Sequence, residues 1–158
     1  MVIGFWILLL AFGTFGASRW LERSNNLNAS VSTFSADGRK FVQLKGDRWG
    51  HYTVTVQING QPVKALIDTG ATSVSITSSV AQRLGLSSSR ESMAVTANGA
   101  VVVYDIDLDQ VGIGDLTQRD VSAHINPHMP GDEILLGMSF LRHFDMNIRG
   151  DVMTLREP

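Results

Sequence analysis

The stretch "ALIDTGATSVSI", residues 65–76, places one carboxylate, Asp68, at the end of a run that otherwise reads as a buried strand. Ala65, Leu66 and Ile67 precede it, and Ala71, Thr72, Ser73 and Val74 follow Thr69 and Gly70. A carboxyl group among such neighbours loses hydration, which raises the cost of its charge and suits it to proton transfer. The plain alternative is a turn. Asp and Thr bond local backbone amides and Gly takes dihedrals that other residues resist, so Asp-Thr-Gly between two strands needs no chemistry to explain it. The elements that hold the tripeptide decide between the two.

Upstream, "HYTVTVQINGQPVKALID" contains two strand patterns joined by Asn59-Gly60, a strong hairpin signal, with Pro62 suited to a strand start or an edge. Downstream, "SSVAQRLGL" predicts a short helix, with Ser79 as its cap, Gln82 three places on, Val80 and Leu84 on one face and Gly85 as the stop. Asn98-Gly99 joins "SMAVTA" to "AVVVYDIDL" as a second hairpin. The apolar "EILLG" leads into another short helix in "MSFLRHF", and "DMNIRGDVMTL" forms a hairpin turning at Gly150-Asp151. That turn also accounts for the Arg149-Gly150-Asp151 tripeptide. Many short strands with small helices predict a mainly β fold, a closed barrel or folded-over sheet.

A length of 158 residues allows one domain with appendages. The alternating "KFVQLK" marks its start near residue 40, so the domain is expected over 40–158, after a polar Ser/Asn-rich linker over 18–39. The first seventeen residues, "MVIGFWILLLAFGTFGA", carry no charge, and residues 1–17 are expected to be a transmembrane anchor. A cleaved signal peptide and a buried core helix are the alternatives. The basic start and small-residue cleavage site of a signal are not evident. A net charge of −2 offers nothing to nucleic-acid phosphates, and the absence of cysteine excludes disulfides, thiolate zinc sites and a Cys nucleophile. His124 and His128 have the spacing of a helical metal pair, but Pro127 and Pro130 disfavour the helix, so no metal is expected. His51 and His143 read as ordinary sheet and helix residues. Asp105, Asp107 and Asp109 alternate along a strand and read as its solvated face.

"LIDTGATSVSI" resembles the active-site segment of retropepsin-like aspartic proteases, in which a strand enters Asp-Thr/Ser-Gly-Ala. The resemblance extends over roughly residues 40–157. It includes the Asn98-Gly99 hairpin, where the family has its flap, and "ILLGMSFLRHF", where it has an apolar-apolar-Gly segment entering a helix. "GHYTVTVQINGQPVKALIDTGATSVSIT" resembles more closely a bacterial membrane-anchored group. The resemblance implies an aspartic endopeptidase acting on peptide substrates without a cofactor. Two carboxylates about 3 Å apart cannot both ionise easily, so they share one proton and activate water. The chain has one Asp-Thr-Gly and no Asp-Ser-Gly, half of such a dyad, so an active enzyme must be a homodimer.

By resemblance, Asp68 is each subunit's catalytic carboxylate, followed by the loop Thr69, Gly70 and Ala71. The Thr69 hydroxyl braces the dimer interface, and Gly70 admits close backbone approach. Asn98 and Gly99 form the flap tip, and Leu136-Gly137 pack beneath the Asp68 loop. Arg19 and Arg23 favour a cytoplasmic domain. The anchored relatives favour the opposite side, and the expectation is an inner-membrane anchor with the domain in the periplasm. Two other readings stand beside the protease: a non-catalytic dimeric module of the same fold that binds peptides or scaffolds partners, and a monomer in which Asp68 is only a turn residue.

Overall fold

The computed structural model describes residues 26–96 and 99–158. The expected anchor over 1–17 and Asn98 of the expected flap tip lie outside the described residues. Among the described residues, no helix is long and apolar enough to cross a membrane.

Folded structure begins earlier than residue 40, within the stretch expected to be a linker. Strand β1 (Ser32–Ala36) pairs antiparallel with β2 (Arg39–Lys45) about Asp37-Gly38, whose φ values of 51° and 75° suit a tight hairpin. Phe34 stacks on Phe41 with ring centroids 4.9 Å apart. Ahead of β1, Asn28 is buried. Its Nδ2 donates to the carbonyls of Lys45 (2.9 Å) and Thr53 (2.8 Å), and its Oδ1 accepts from the Lys45 amide at 2.6 Å. Asn26 Nδ2 donates to Thr55 Oγ1 at 3.0 Å. Composition concealed this, because these asparagines serve as buried partners of backbone groups, and β1 is exposed along its whole length and so shows no apolar alternation.

Strands β3 (Thr53–Ile58) and β4 (Gln61–Ile67) alternate as their sequence predicts, burying Val54, Val56 and Ile58 from one and Val63 and Ala65 from the other. Asn59 and Gly60 join them with φ of 49° and 80°. After β4 come β5 (Val74–Thr77), helix α1 (Ser78–Leu84), β6 (Glu91–Thr96), the long β7 (Gly99–Ile113) and β8 (Leu116–Asn126). Strand β9 (Ile134–Leu136), helix α2 (Met138–Leu141), β10 (Asp145–Arg149) and β11 (Val152–Arg156) complete the chain.

The larger sheet runs β3-β4-β9-β5-β8-β7-β6, and β7 returns to β3 through Gln57↔Gly112 and Ile58↔Val111. That pairing closes six strands into a barrel and leaves β6 outside, a hairpin arm on β7. Strand β9 lies beside β4 in parallel and meets β5 antiparallel at Ser75↔Leu135, while β5 runs parallel to β8. β5 is buried at every residue because strands flank it on both sides. A smaller sheet, β1-β2-β11-β10, contributes Val42, Leu44, Met153 and Leu155 to the same core.

Helix α1 is capped by Thr77, not Ser79. Thr77 Oγ1 accepts from the Val80 amide at 3.2 Å, and the Ser79 hydroxyl is taken by the Gly131 carbonyl at 2.8 Å. Gly85 ends the helix at φ 70°.

Candidate active site

The register of β4 against β9 determines where Asp68 emerges. Ile67 pairs with Leu136 at the end of both strands, and the Asp68 amide donates to the Leu136 carbonyl at 3.1 Å. The chain then leaves the barrel and turns back, with the Ala71 amide bonding the Asp68 carbonyl at 3.2 Å. Gly70 donates its amide to Asp68 Oδ1 at 2.9 Å, which fixes the carboxylate against its own loop. A side chain at Gly70 would bring its Cβ to 3.2 Å from that same oxygen.

From behind, the loop rests on the segment 136–139. The Met138 amide bonds the Ala71 carbonyl at 2.8 Å, and Ser139 Oγ accepts from the Val74 amide at 3.0 Å. Gly137 lies between these contacts. A Cβ there would stand 2.3 Å from the Ser73 carbonyl oxygen and 2.7 Å from that of Ala71, so only glycine permits the approach. The structure therefore brings Leu136 and Gly137 together with Asp68, Gly70 and Ala71. Gly99, at φ 111°, begins β7 on the far side of the β6–β7 hairpin, where its carbonyl accepts from Thr96 Oγ1 at 2.8 Å.

Asp68 differs from the sequence expectation of a desolvated group. In the single chain its side chain is half-buried, and Thr69 and Gly70 are exposed. Of the apolar residues on either side, Ala65 and Val74 are buried in the core and Ile67 packs against it, but Leu66 and Ala71 are only half-buried, and at Thr69 and Gly70 the loop presents its front to solvent. Any desolvation of this carboxylate must come from something that covers the loop.

Three residues of this region carry little signal in the sequence. Ser139 is buried where it bonds the loop, but a serine in the first turn of a helix looks ordinary. Ser73 Oγ lies 2.9 Å from His124 Nδ1, which is the histidine whose spacing set it beside His128. Asp105, expected on a solvated face, is half-buried and accepts from Ser92 Oγ at 2.6 Å. A groove of about 230 Å³ lined by Leu27, Lys45, Trp49, Lys64 and Glu133, among others, contains none of the Asp68 loop.

A six-stranded closed barrel that delivers Asp-Thr-Gly from the end of β4, over a Leu-Gly segment from β9, defines a retropepsin-like aspartic protease fold. The family profile described as "gag-polyprotein putative aspartyl protease" matches residues 54–143, and the chain belongs to that family. The crystal structure of a retropepsin-like aspartic protease from Rickettsia conorii has a TM-score of 0.66 to this fold at 28% identity, covering 81% of this chain and 96% of that one. An uncharacterized protein encoded in the cobV 5' region of Sinorhizobium sp is 32% identical over 133 residues, 82% of this chain and 57% of its own length. An uncharacterized protein of Rickettsia prowazekii (strain Madrid E) is 31% identical over 110 residues, 68% of this chain and 46% of its own. The chain spans about half the length of these two relatives.

Proposed function

We propose that this protein is an aspartic endopeptidase whose catalytic dyad combines Asp68 of one copy with Asp68 of a second. One observation carries the reading: a single Asp-Thr-Gly loop, held from behind by Leu136, Gly137 and Ser139, with its exposed front bearing one carboxylate. Two such fronts, apposed, desolvate each other and bring together two carboxylates that share a proton. The ionised one takes a proton from water as that water attacks the scissile carbonyl carbon. The protonated one hydrogen-bonds the carbonyl oxygen, which gains charge in the tetrahedral intermediate. Transfer of a proton to the amide nitrogen then releases the amine. Thr69 is positioned to meet its counterpart across the interface, and the β6–β7 hairpin closes over the substrate and excludes water.

Activity therefore depends on self-association. Specific activity on a peptide substrate should rise with protein concentration and level off once dimers saturate. Full turnover by a monomer, independent of concentration, would contradict the shared dyad.

The apolar residues 1–17 support a further part of the proposal, an inner-membrane anchor that leaves the domain in the periplasm and concentrates the copies in two dimensions. A reporter active only in the periplasm, fused after Pro158, should be active. A silent reporter beside an active cytoplasmic one reverses the orientation.

A further inference from the structure

Beyond the carboxylate itself, a run of side chains links the Asp68 loop to the hairpin arm. Ser73, where the loop enters β5, is within hydrogen-bond distance of His124 on β8. His124 faces Asp105 across the β7–β8 ladder, and Asp105 holds the Ser92 hydroxyl on β6. Four segments are thus joined in space: the loop, β8, β7 and β6.

We propose that His124 is a positioning residue for the cleavage reaction, coupling the β6–β7 hairpin to the Asp68 loop through Ser73 on one side and Asp105 with Ser92 on the other, and that the coupling changes when the imidazole takes up a proton. The kinetic part rests on the protease reading; the coupling belongs to the chain itself.

Hydrogen-bond inventory gives the reason. A neutral imidazole offers one donor and one acceptor, and the Ser73 hydroxyl serves either. The imidazolium has two donors and no acceptor, so Ser73 Oγ must accept and turn its own hydrogen elsewhere. The new charge also draws on the Asp105 carboxylate, which then divides its acceptors between His124 and Ser92. One proton is felt at both ends.

The surroundings name few competitors. From β7, Asp107 lies next along the same face, but Arg90 Nη2 engages it at 2.8 Å. Beside His124 on β5 is Ser75, whose hydroxyl donates to Met129 Sδ at 3.8 Å. Along β8 the alternate positions are Ser122 and Asn126, and His128 in the following turn bonds Asn126 Oδ1 through its backbone amide at 2.9 Å. Burial lowers the His124 pKa below its ordinary 6.5, and the Asp105 charge acts in the opposite, raising direction. The unfolded chain then binds the proton more readily than the folded one. Neutral His124 favours the fold above about pH 6.5, and that advantage is lost as pH falls through the folded value.

The test is a pH titration of the 158-residue chain from about pH 8 to about pH 4.5, following backbone amide resonances of 71–74 and 92–96. Both sets should move with one midpoint, that of the His124 ring. His124→Gln should abolish the shared step, and Asp105→Asn should shift it to lower pH, since it removes the raising charge. Ser73→Ala should leave the hairpin response and weaken that of the loop. Hairpin amides that ignore the His124 midpoint in the wild type, or a shared step that persists in His124→Gln, overturn the coupling. If His124→Gln fails to fold, Asp105→Asn alone decides: an unmoved midpoint overturns it. Peptide cleavage read in parallel should lose the matching step in the pH profile of kcat, with KM changed less. Complete absence of cleavage by the wild type rejects the protease reading and leaves the resonance result to judge the coupling.

Discussion

If the proposed shared dyad is the catalyst, Asp68→Asn should abolish peptide cleavage, with a loss on the order of 10³-fold or more in kcat/KM, because an amide can neither take a proton from water nor share one with a facing carboxylate. The effect is large because the substitution is read twice. In a homodimer both carboxylates come from the same codon, so one change removes the entire dyad. The fold should be untouched. Asn keeps an oxygen where Asp68 Oδ1 accepts from the Gly70 amide at 2.9 Å, and the side chain is half-buried rather than embedded in the core. The stability change should stay under about 1 kcal/mol, and the dimer should persist, since two facing amides carry no charge to repel and can still hydrogen-bond. Cleavage assays of the purified variant, with thermal unfolding alongside, provide the check. Residual activity within about tenfold of wild type would falsify the role given to Asp68, since a dyad group supplies far more than that.

Gly137→Ala attacks the same site from behind, through stability. The added methyl would sit 2.3 Å from the Ser73 carbonyl oxygen and 2.7 Å from that of Ala71, both backbone atoms of the Asp68 loop. Neither is the free end of a side chain, so relief requires the loop or β9 to shift. The expected cost is about 3 kcal/mol or more, a fall in Tm of about 6–12 °C for a chain of this size. Cleavage should fall as well, because the atoms displaced are those that hold Asp68. Gly150→Ala is the control. Its φ of +61° strains any side chain, but no atom lies within 4 Å of the new Cβ, so it should cost about 1 kcal/mol and leave activity unchanged. Equal Tm values for the two variants would mean that the Gly137 contact is not the close one described.

Local signals in the chain correspond to local structure. Asn59-Gly60 and Gly150-Asp151 are turns because each needs a left-handed residue and carries one that tolerates it, with φ of 49° at Asn59 and 61° at Gly150. Period-two burial in β3 and β4 follows from side chains that alternate along a strand. The helix at 78–84 was legible, yet its cap was not. Thr77 and Ser79 both suit the position, and the choice was made by the Gly131 carbonyl, remote in sequence, which occupies Ser79. Asp37-Gly38 carried the same turn signal as Asn59-Gly60, but the Ser/Asn-rich surroundings masked a strand pair that is exposed on one side and tied down by two buried asparagines.

By itself, then, the sequence determined the kind of element at most positions, the Asp-Thr-Gly turn at the end of a strand, and the fact that each chain brings one such turn. These follow from backbone preferences and side-chain period, which act over a few residues. Tertiary structure alone decided that β9 threads between β4 and β5, that β7 returns to β3 to close the barrel, and that Gly137 lies under the Asp68 loop. It also decided that His124 meets Ser73 and that the Asp68 carboxylate faces outward instead of into the apolar residues beside it in sequence. Such contacts join residues far apart along the chain. Their energy comes from burying strands against one another, and no window of neighbouring residues records which strands will meet.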